Sequence, residues 1–392
     1  IEWSNRLVTF NKARHQKRLT PARRVTNPVK VTPYQDAETE AEQTVLEIDF
    51  LTKQRGVNPG DIAFLHRTAD QTRPFEEQLR KRQIPYEVVG GQSFFDRKEV
   101  KDVLALLRAV ESERDDRALL RIVNVPPRGI GQSTVKETLE EAVRTGATFW
   151  QAAAERAQRG AINPKTAAAL TGFRGLLAEF RRKFHAARDL SAVAGALLNR
   201  VNYEAEIDRR YDNPQERLSR SAGVEAVLDS LRSYSAEAKE PTLAGYLQET
   251  TLGEREIDEK KSERERTAVV LMTLHSAKGL EFPRVYLVGV EEGVLPHKRS
   301  VELGTRAAME EERRLCYVGL TRARDHLTLS YCLGRRSRGR LRSCHPSRFL
   351  AEMSGQSWPG PPKEERKPKP FIPRRAKGAG HSARVTHTRN RR

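Results

Sequence analysis

Two charged residues stand where α/β proteins commonly do chemistry. Lys278 lies in "LMTLHSAKGLEF", Leu271–Phe282, between one apolar strand-like run and a second, "FPRVYLVGV". A short small-residue loop at the carboxyl end of a parallel strand is a usual ligand site. The dipeptide here is Lys-Gly, however, and a phosphate-cradling P-loop needs Gly-Lys after a glycine turn. The other residue is Arg322, in "MEEERRLCYVGLTRAR", Met309–Arg324. Three glutamates open that stretch and two arginines close it, matching the dipole of a helix. The strand-like "HLTLSYC" follows directly. Arg322 is therefore expected at a helix end leading into a sheet, where a fixed guanidinium can stabilise charge developing in phosphoryl transfer.

These residues need a sheet to hold them. The spacing predicts an amphipathic helix over residues 1–20, on Ile1, Trp3, Leu7, Val8 and Phe10. A strand, "VKVTPY", and a long helix with an acidic start, "DAETEAEQTVLEIDFLTKQ", are expected next. A strand–helix–strand unit follows in "DIAFLHRT", "DQTRPFEEQLRKRQ" and "PYEVVG", which suggests a parallel sheet. From Ser112 to Arg266 the texture is helical. Strand texture returns with "AVVLMTL", "RVYLVGV" and "HLTLSYC". The expected architecture is one α/β domain in two pieces, 1–111 and 267–352, with an all-α insertion at 112–266. From Met353 the chain is Pro-, Gly- and Arg-rich, and it reads as a disordered basic tail.

The 392 residues are 37% hydrophobic and 31% charged, with a formal net charge of +19. Such a balance points to a polyanionic partner, most often nucleic acid. The segment Lys363–Arg392 holds 11 Lys and Arg against 2 Asp and Glu, so nearly half of that charge is in the tail. No apolar run approaches the roughly 18–20 residues a membrane span needs. Three cysteines without metal-ligand spacing fit a reducing cytoplasm. Arg67 and Arg73, in "HRTADQTR", are candidates for a single-strand backbone, and His66 reads as structural. Gly129 and Gly131 flank Ile130 in "VNVPPRGIGQST", a turn that lets backbone amides approach phosphates.

The long phrases "LMTLHSAKGLEFPRVYLVGVEEGVLPH" and "EEERRLCYVGLTRAR" closely resemble the fifth and sixth motifs of the UvrD/Rep family, superfamily 1 DNA helicases that move 3′ to 5′ on ATP. "IAFLHRTADQTRPFEEQLRKRQIPYEVVGGQSFFDRKEVKD", "RIVNVPPRGIG" and "HPSRFLAEM" are similar to further family segments, so the resemblance covers roughly 1–353. It implies a RecA-like second motor domain in two chain pieces. It implies that Glu281 bonds the ATP ribose and that Arg322 reaches the γ-phosphate. Thr273 and His275 fall where the family contacts single-stranded DNA, with Lys278 and Gly279 in the loop between nucleotide and DNA. Arg128, Gly129 and Gly131 are similar to a helix-hairpin-helix turn on duplex DNA.

The sequence holds no Gly-x-x-x-x-Gly-Lys-Thr/Ser. The resemblance therefore implies that the P-loop motor domain and the Mg²⁺ ligands lie elsewhere, in cis or in trans. On that expectation this chain alone hydrolyses no ATP. Two alternatives remain open from sequence: a stand-alone DNA-binding module, and one subunit of a split helicase.

Overall fold

Six short apolar runs pair into one sheet, parallel throughout. The strands are β1 (Lys30–Tyr34), β2 (Ile62–His66), β3 (Tyr86–Val89), β4 (Val269–Thr273), β5 (Phe282–Leu287) and β6 (Ala323–Cys332). Their order is β1-β6-β5-β2-β4-β3. The computed structural model describes residues 1–12, 19–21, 27–251, 267–337, 340–356, 358 and 360. β2 is buried along its whole length, as expected for a central parallel strand covered on both faces. β1 is an edge strand, so Pro33, which lacks an N–H, costs the ladder nothing there. β2 and β3, adjacent in sequence, are not neighbours, because β4 pairs with both.

Each face is covered by helices. On one, α2 (Ala37–Arg55) and α3 (Thr72–Lys81) set Val45, Ile48, Phe75 and Leu79 against Ile62, Phe64 and Leu271. Asp36 caps α2 by accepting from Thr39 N at 2.8 Å, and Gly56 ends it at φ 64°. On the other face, Leu7 of α1 (Glu2–Thr9) and Phe349 of Arg348–Ser354 join Cys316 and Leu320 of the helix Arg306–Leu320 against Leu65, Met272, Leu287 and Leu329.

Between β3 and β4 run the helices α4 (Lys98–Glu111), α5 (Asp116–Ile122), α6 (Gln132–Thr145), α7 (Phe149–Gln158), α8 (Pro164–Ala186), α9 (Leu190–Val201), α10 (Tyr203–Arg210), α11 (Pro214–Glu237) and α12 (Leu243–Thr251). They share the largest apolar cluster, Phe94 to Leu247. α4, grouped with the sheet by sequence, packs into this helical core. After β5 come α13 (Lys298–Leu303), α14 (Arg306–Leu320), the hairpin β7 (Gly334–Ser337) and β8 (Arg340–Ser343), and α15 (Arg348–Ser354).

Two boundaries differ from expectation. α1 stops at Thr9 rather than near residue 20, because Asn11 leaves the helix to donate to the Glu310 carbonyl at 3.0 Å. Met353 is fully buried at the end of α15 rather than in a tail. The tail expected from sequence lies almost wholly outside the described residues. Among the described residues no helix is long and apolar enough to cross a membrane.

Candidate functional site

The β4–β5 connection determines the geometry of the site. His66 pairs with Thr273 at one end of β2, and Ile62 pairs with Arg284 at the other. β4 therefore ends at the carboxyl edge of the sheet, whereas β5 begins at its amino edge. At about 3.3 Å per residue, Thr273 and Phe282 are separated by about 20 Å along the strand direction. No helix returns the chain, so residues 274–281 cross the sheet themselves. Leu274 and Ala277 are fully buried in the cluster beneath α14, whereas Lys278, Gly279, Leu280 and Glu281 are exposed. Thr273 and His275 are at the carboxyl edge, and Glu281 and Arg322 are at the opposite one.

At the amino edge Arg322 is tied to the connection twice. Its carbonyl accepts from Phe282 N at 2.9 Å, and its Nη1 donates to the Leu280 carbonyl at 2.9 Å. Nε donates to Val318 O at 3.0 Å and Nη2 to Thr321 Oγ1 at 3.0 Å. A guanidinium has five N–H donors, so two remain for a ligand. Glu281 is exposed and makes no hydrogen bond or ion pair among the described residues. A free acceptor and a braced cation on one edge fit a ribose hydroxyl and a phosphate. Gly279, at φ +87°, supplies the left-handed turn just before them. A Cβ there would meet nothing within 4 Å, so its requirement is conformational rather than steric.

At the carboxyl edge, Thr273 Oγ1 and Ser276 Oγ are 2.9 Å apart, and His275 is exposed. Arg67 is near this edge but engaged. Its Nε and Nη2 donate to Glu312 at 3.1 and 2.8 Å. Burial alone would raise the Glu312 carboxyl, but bonds from Arg67 and the His297 amide outweigh it and hold it below its usual value. Arg73 is enclosed by Glu38 at 3.4 Å, Glu77 at 3.5 Å and the Ala226 carbonyl at 3.2 Å, bridging α2 and α3 to α11. Both are engaged in internal ties. His66 is structural: it is 2% exposed, Nδ1 donates to Thr68 O at 2.9 Å, and burial pushes its pKa down to about 4.

In the helical part, Gly129 turns the chain at φ +72°, and exposed Gly131 is the N-cap of α6. No side chain caps that helix, so its first amides are open to an anion. Arg128 is not part of that opening. Its Nη1 is shared among the carbonyls of Ile122, Val123 and Pro126 at 2.8 to 3.2 Å, and it stacks 3.9 Å from the Phe173 ring centroid. Burial lowers its pKa to about 10. The arginine braces the turn from within.

Sequence reasoning missed two residues that hold the site. Buried Gln71 accepts from the amides of Arg67 and Thr68 at 3.0 and 2.9 Å, and donates to Val288 O at 3.3 Å, joining the ends of β2 and β5. Gly319 lets α14 lie directly on the connection, since a Cβ there would fall 2.5 Å from Leu274 Cδ2. A glycine inside a helical pattern was the available signal. Among the described residues no group of three or more His, Cys, Asp or Glu could hold a metal ion.

The six-stranded all-parallel sheet with helices on both faces, and the helical part between β3 and β4, are those of a RecA-like domain. The chain belongs to the UvrD-like helicase C-terminal domain family, whose profile matches residues 1–334. It is 36% identical to the ATP-dependent DNA helicase Rep of Escherichia coli K12, over 98% of this chain and 56% of that protein. It is 38% identical to the ATP-dependent DNA helicase PcrA of Bacillus subtilis 168, over 75% of this chain and 39% of that protein. Against PcrA of Staphylococcus aureus Mu50 it is 34% identical, over 89% and 47%. The chain spans about half the length of these relatives.

Proposed function

We propose that this chain is the second motor domain, with a helical accessory part, of an ATP-dependent 3′–5′ DNA helicase acting in repair or replication restart in the cytoplasm. Residues 1–111 and 267–352 form the motor and 112–266 the accessory part, with α4 packed into the latter. The observation that carries this reading is the single connection, residues 274–281, joining Thr273 at one edge to Glu281 and Arg322 at the other. Arg322 holds the γ-phosphate with its two remaining N–H donors. Glu281 accepts from the ribose. Thr273 and His275 hold the single strand. The amides after Gly131, freed by the turn at Gly129, take a phosphate of the duplex ahead. ATP with Mg²⁺, when bound, supplies the phosphoryl group transferred to water. A P-loop motor domain, in cis or in trans, provides the Mg²⁺ ligands.

The test is single-strand-stimulated ATP hydrolysis by the polypeptide or complex that contains both motor domains. Arg322→Ala should lower kcat by about 10³-fold or more, the range for arginine fingers, with single-strand affinity unchanged. The 392-residue chain alone should hydrolyse no ATP. Robust ATPase from the chain alone, or full activity in Arg322→Ala, overturns the assignment. Salt-dependent DNA binding with no effect of any P-loop partner would instead support a stand-alone binding module.

A further inference from the structure

A cavity of about 360 Å³ opens on the α2 face of the sheet, over β1, β6 and β5. The strands aim basic side chains into it. Arg284 of β5 and His326 of β6 are register partners, and Lys30 pairs with Thr328 one step further along. A register shift lies between Phe282 and Arg284. Such irregularities re-aim side chains: Phe282 packs with the α14-side core, whereas Arg284 lines the α2 side.

The charges in the cavity are not balanced internally. Among the described residues Glu47 of α2 is its one lining acid, and it already accepts from Lys30 Nζ at 3.0 Å and Tyr286 Oη at 3.1 Å. Arg284, half-buried, makes no hydrogen bond or ion pair among the described residues. Asn27 Nδ2 lies 3.4 Å from His326 Nε2 and donates to the Asp325 carbonyl at 3.2 Å. A neutral amide and a ring nitrogen thus flank a guanidinium without a counter-charge. The side chains of Val285 and Leu327 pack into the core on the other face of the sheet, so of the lining apolar side chains only Pro28 and the Tyr286 ring lie on the cavity side.

We propose that this cavity binds a small phosphorylated ligand, its phosphate held by Arg284 and His326. A guanidinium recognises phosphate in a two-pronged fashion that a lone ammonium does not. The volume exceeds that of a bare phosphate and lies at the small end of ligand pockets. The cavity is on the opposite face from the core beneath α14, so it is separate from the Glu281–Arg322 edge. The inference does not depend on the helicase reading.

Binding should be linked to protonation. Burial, then the charge of Arg284, holds the His326 pKa below its usual value, with Asp325 and Glu47 acting against them. The other groups facing the ring are Lys30, Tyr286 and Thr328. A bound phosphate group reverses the effect of Arg284, so protonation of His326 should add affinity at pH 6 relative to pH 8.

The experiment is calorimetric titration of the 392-residue chain with inorganic pyrophosphate at both pH values. Arg284→Gln should weaken binding about tenfold or more, the scale of one charge-assisted hydrogen bond. Arg322→Ala should leave it unchanged. The ratio of affinity at pH 6 to that at pH 8 should be larger in wild type than in His326→Gln, where only the ligand's own protonation still titrates, and this keeps the test open if Arg284→Gln fails to fold. Equal affinity in wild type and Arg284→Gln, or loss of binding in Arg322→Ala, overturns the proposal. So does competition by a single-stranded oligonucleotide, which would assign the cavity to the nucleic-acid track.

Discussion

The contact between Gly319 and Leu274 makes a quantitative prediction. A methyl at position 319 would lie 2.5 Å from Leu274 Cδ2 and 3.5 Å from Leu287 Cδ2. Carbon atoms pack at about 3.5–4.0 Å, and both leucines are fully buried, so neither swings into solvent to relieve the overlap. Overpacking of this kind costs about 1–3 kcal/mol. Alanine returns about 1 kcal/mol over glycine as a helix former. Gly319→Ala should therefore destabilise the chain by about 0–2 kcal/mol. Leu274→Ala alone should cost about 2–5 kcal/mol. In that background the overlap is gone and the new methyl fills part of the cavity, so Gly319→Ala should stabilise by about 1 kcal/mol. The assay is urea unfolding of all four proteins by linear extrapolation. The expected signature is a coupling of about 1–3 kcal/mol. Additivity within about 0.5 kcal/mol would refute the claim that α14 rests on this loop through Gly319.

Acid should destabilise the fold through His66. Burial lowers its pKa to about 4 in the folded chain from the ordinary histidine value of 6.5. A depressed folded pKa gives stability that is complete above the unfolded value and is lost as pH falls toward the folded one. The loss should be about 2 kcal/mol by pH 5, and His66→Gln should flatten that part of the stability–pH curve in denaturant titrations. Arg73→Ala should cost about 3 kcal/mol or more by stranding Glu38 and Glu77, the usual result of removing one partner from a buried ion pair. Once the folded fraction is matched, DNA affinity in a filter-binding assay should equal wild type, whereas a phosphate-contacting arginine would weaken binding and reduce its salt dependence.

What the sequence made legible was local. The apolar runs named all six strands of the sheet, and charge asymmetry put Arg322 at a helix end before β6. The alternation of strand and helix textures placed the helical part between two sets of strands. What it could not show was partnership across the chain. Arg67 meets Glu312 across 245 residues, and Arg73 meets Ala226 across 153. Read alone, each looks like a cation available to phosphate, because a motif displays a charge and not what neutralises it. Strand order was hidden for the same reason. β4 separates β2 from β3, although it follows them by nearly two hundred residues. The crossing of the sheet by residues 274–281 depends on that order, so the placement of the loop's two halves at opposite edges of the sheet became visible only in the structure.

The division also constrains how the two edges can communicate on the proposed reading. The exposed half of the connection, Lys278–Glu281, contains the left-handed turn at Gly279 and has little packing to resist movement. The other half is anchored by Leu274 and Ala277 in the core. If Arg322 moved alone toward a phosphate, it would give up its bond to the Leu280 carbonyl, costing about 1–3 kcal/mol for a charged donor. Moving the connection alone would drag Leu274 out of its pocket, at a cost on the scale of a core truncation, about 2–5 kcal/mol. Moving α14 and the connection together breaks neither contact, because Gly319 holds Leu274 and Arg322 holds both Leu280 and Phe282. The least costly route from the amino edge to Thr273 and His275 is therefore a rigid shift of helix and loop as one body. Coupling of this type requires an element with two arrangements that both ligands bias. It follows that Leu274→Ala, which touches neither ligand position, should reduce single-strand stimulation of ATP hydrolysis in the two-motor-domain protein more than it reduces the affinity for either ligand. Equal losses in stimulation and affinity would show that the edges communicate by another path.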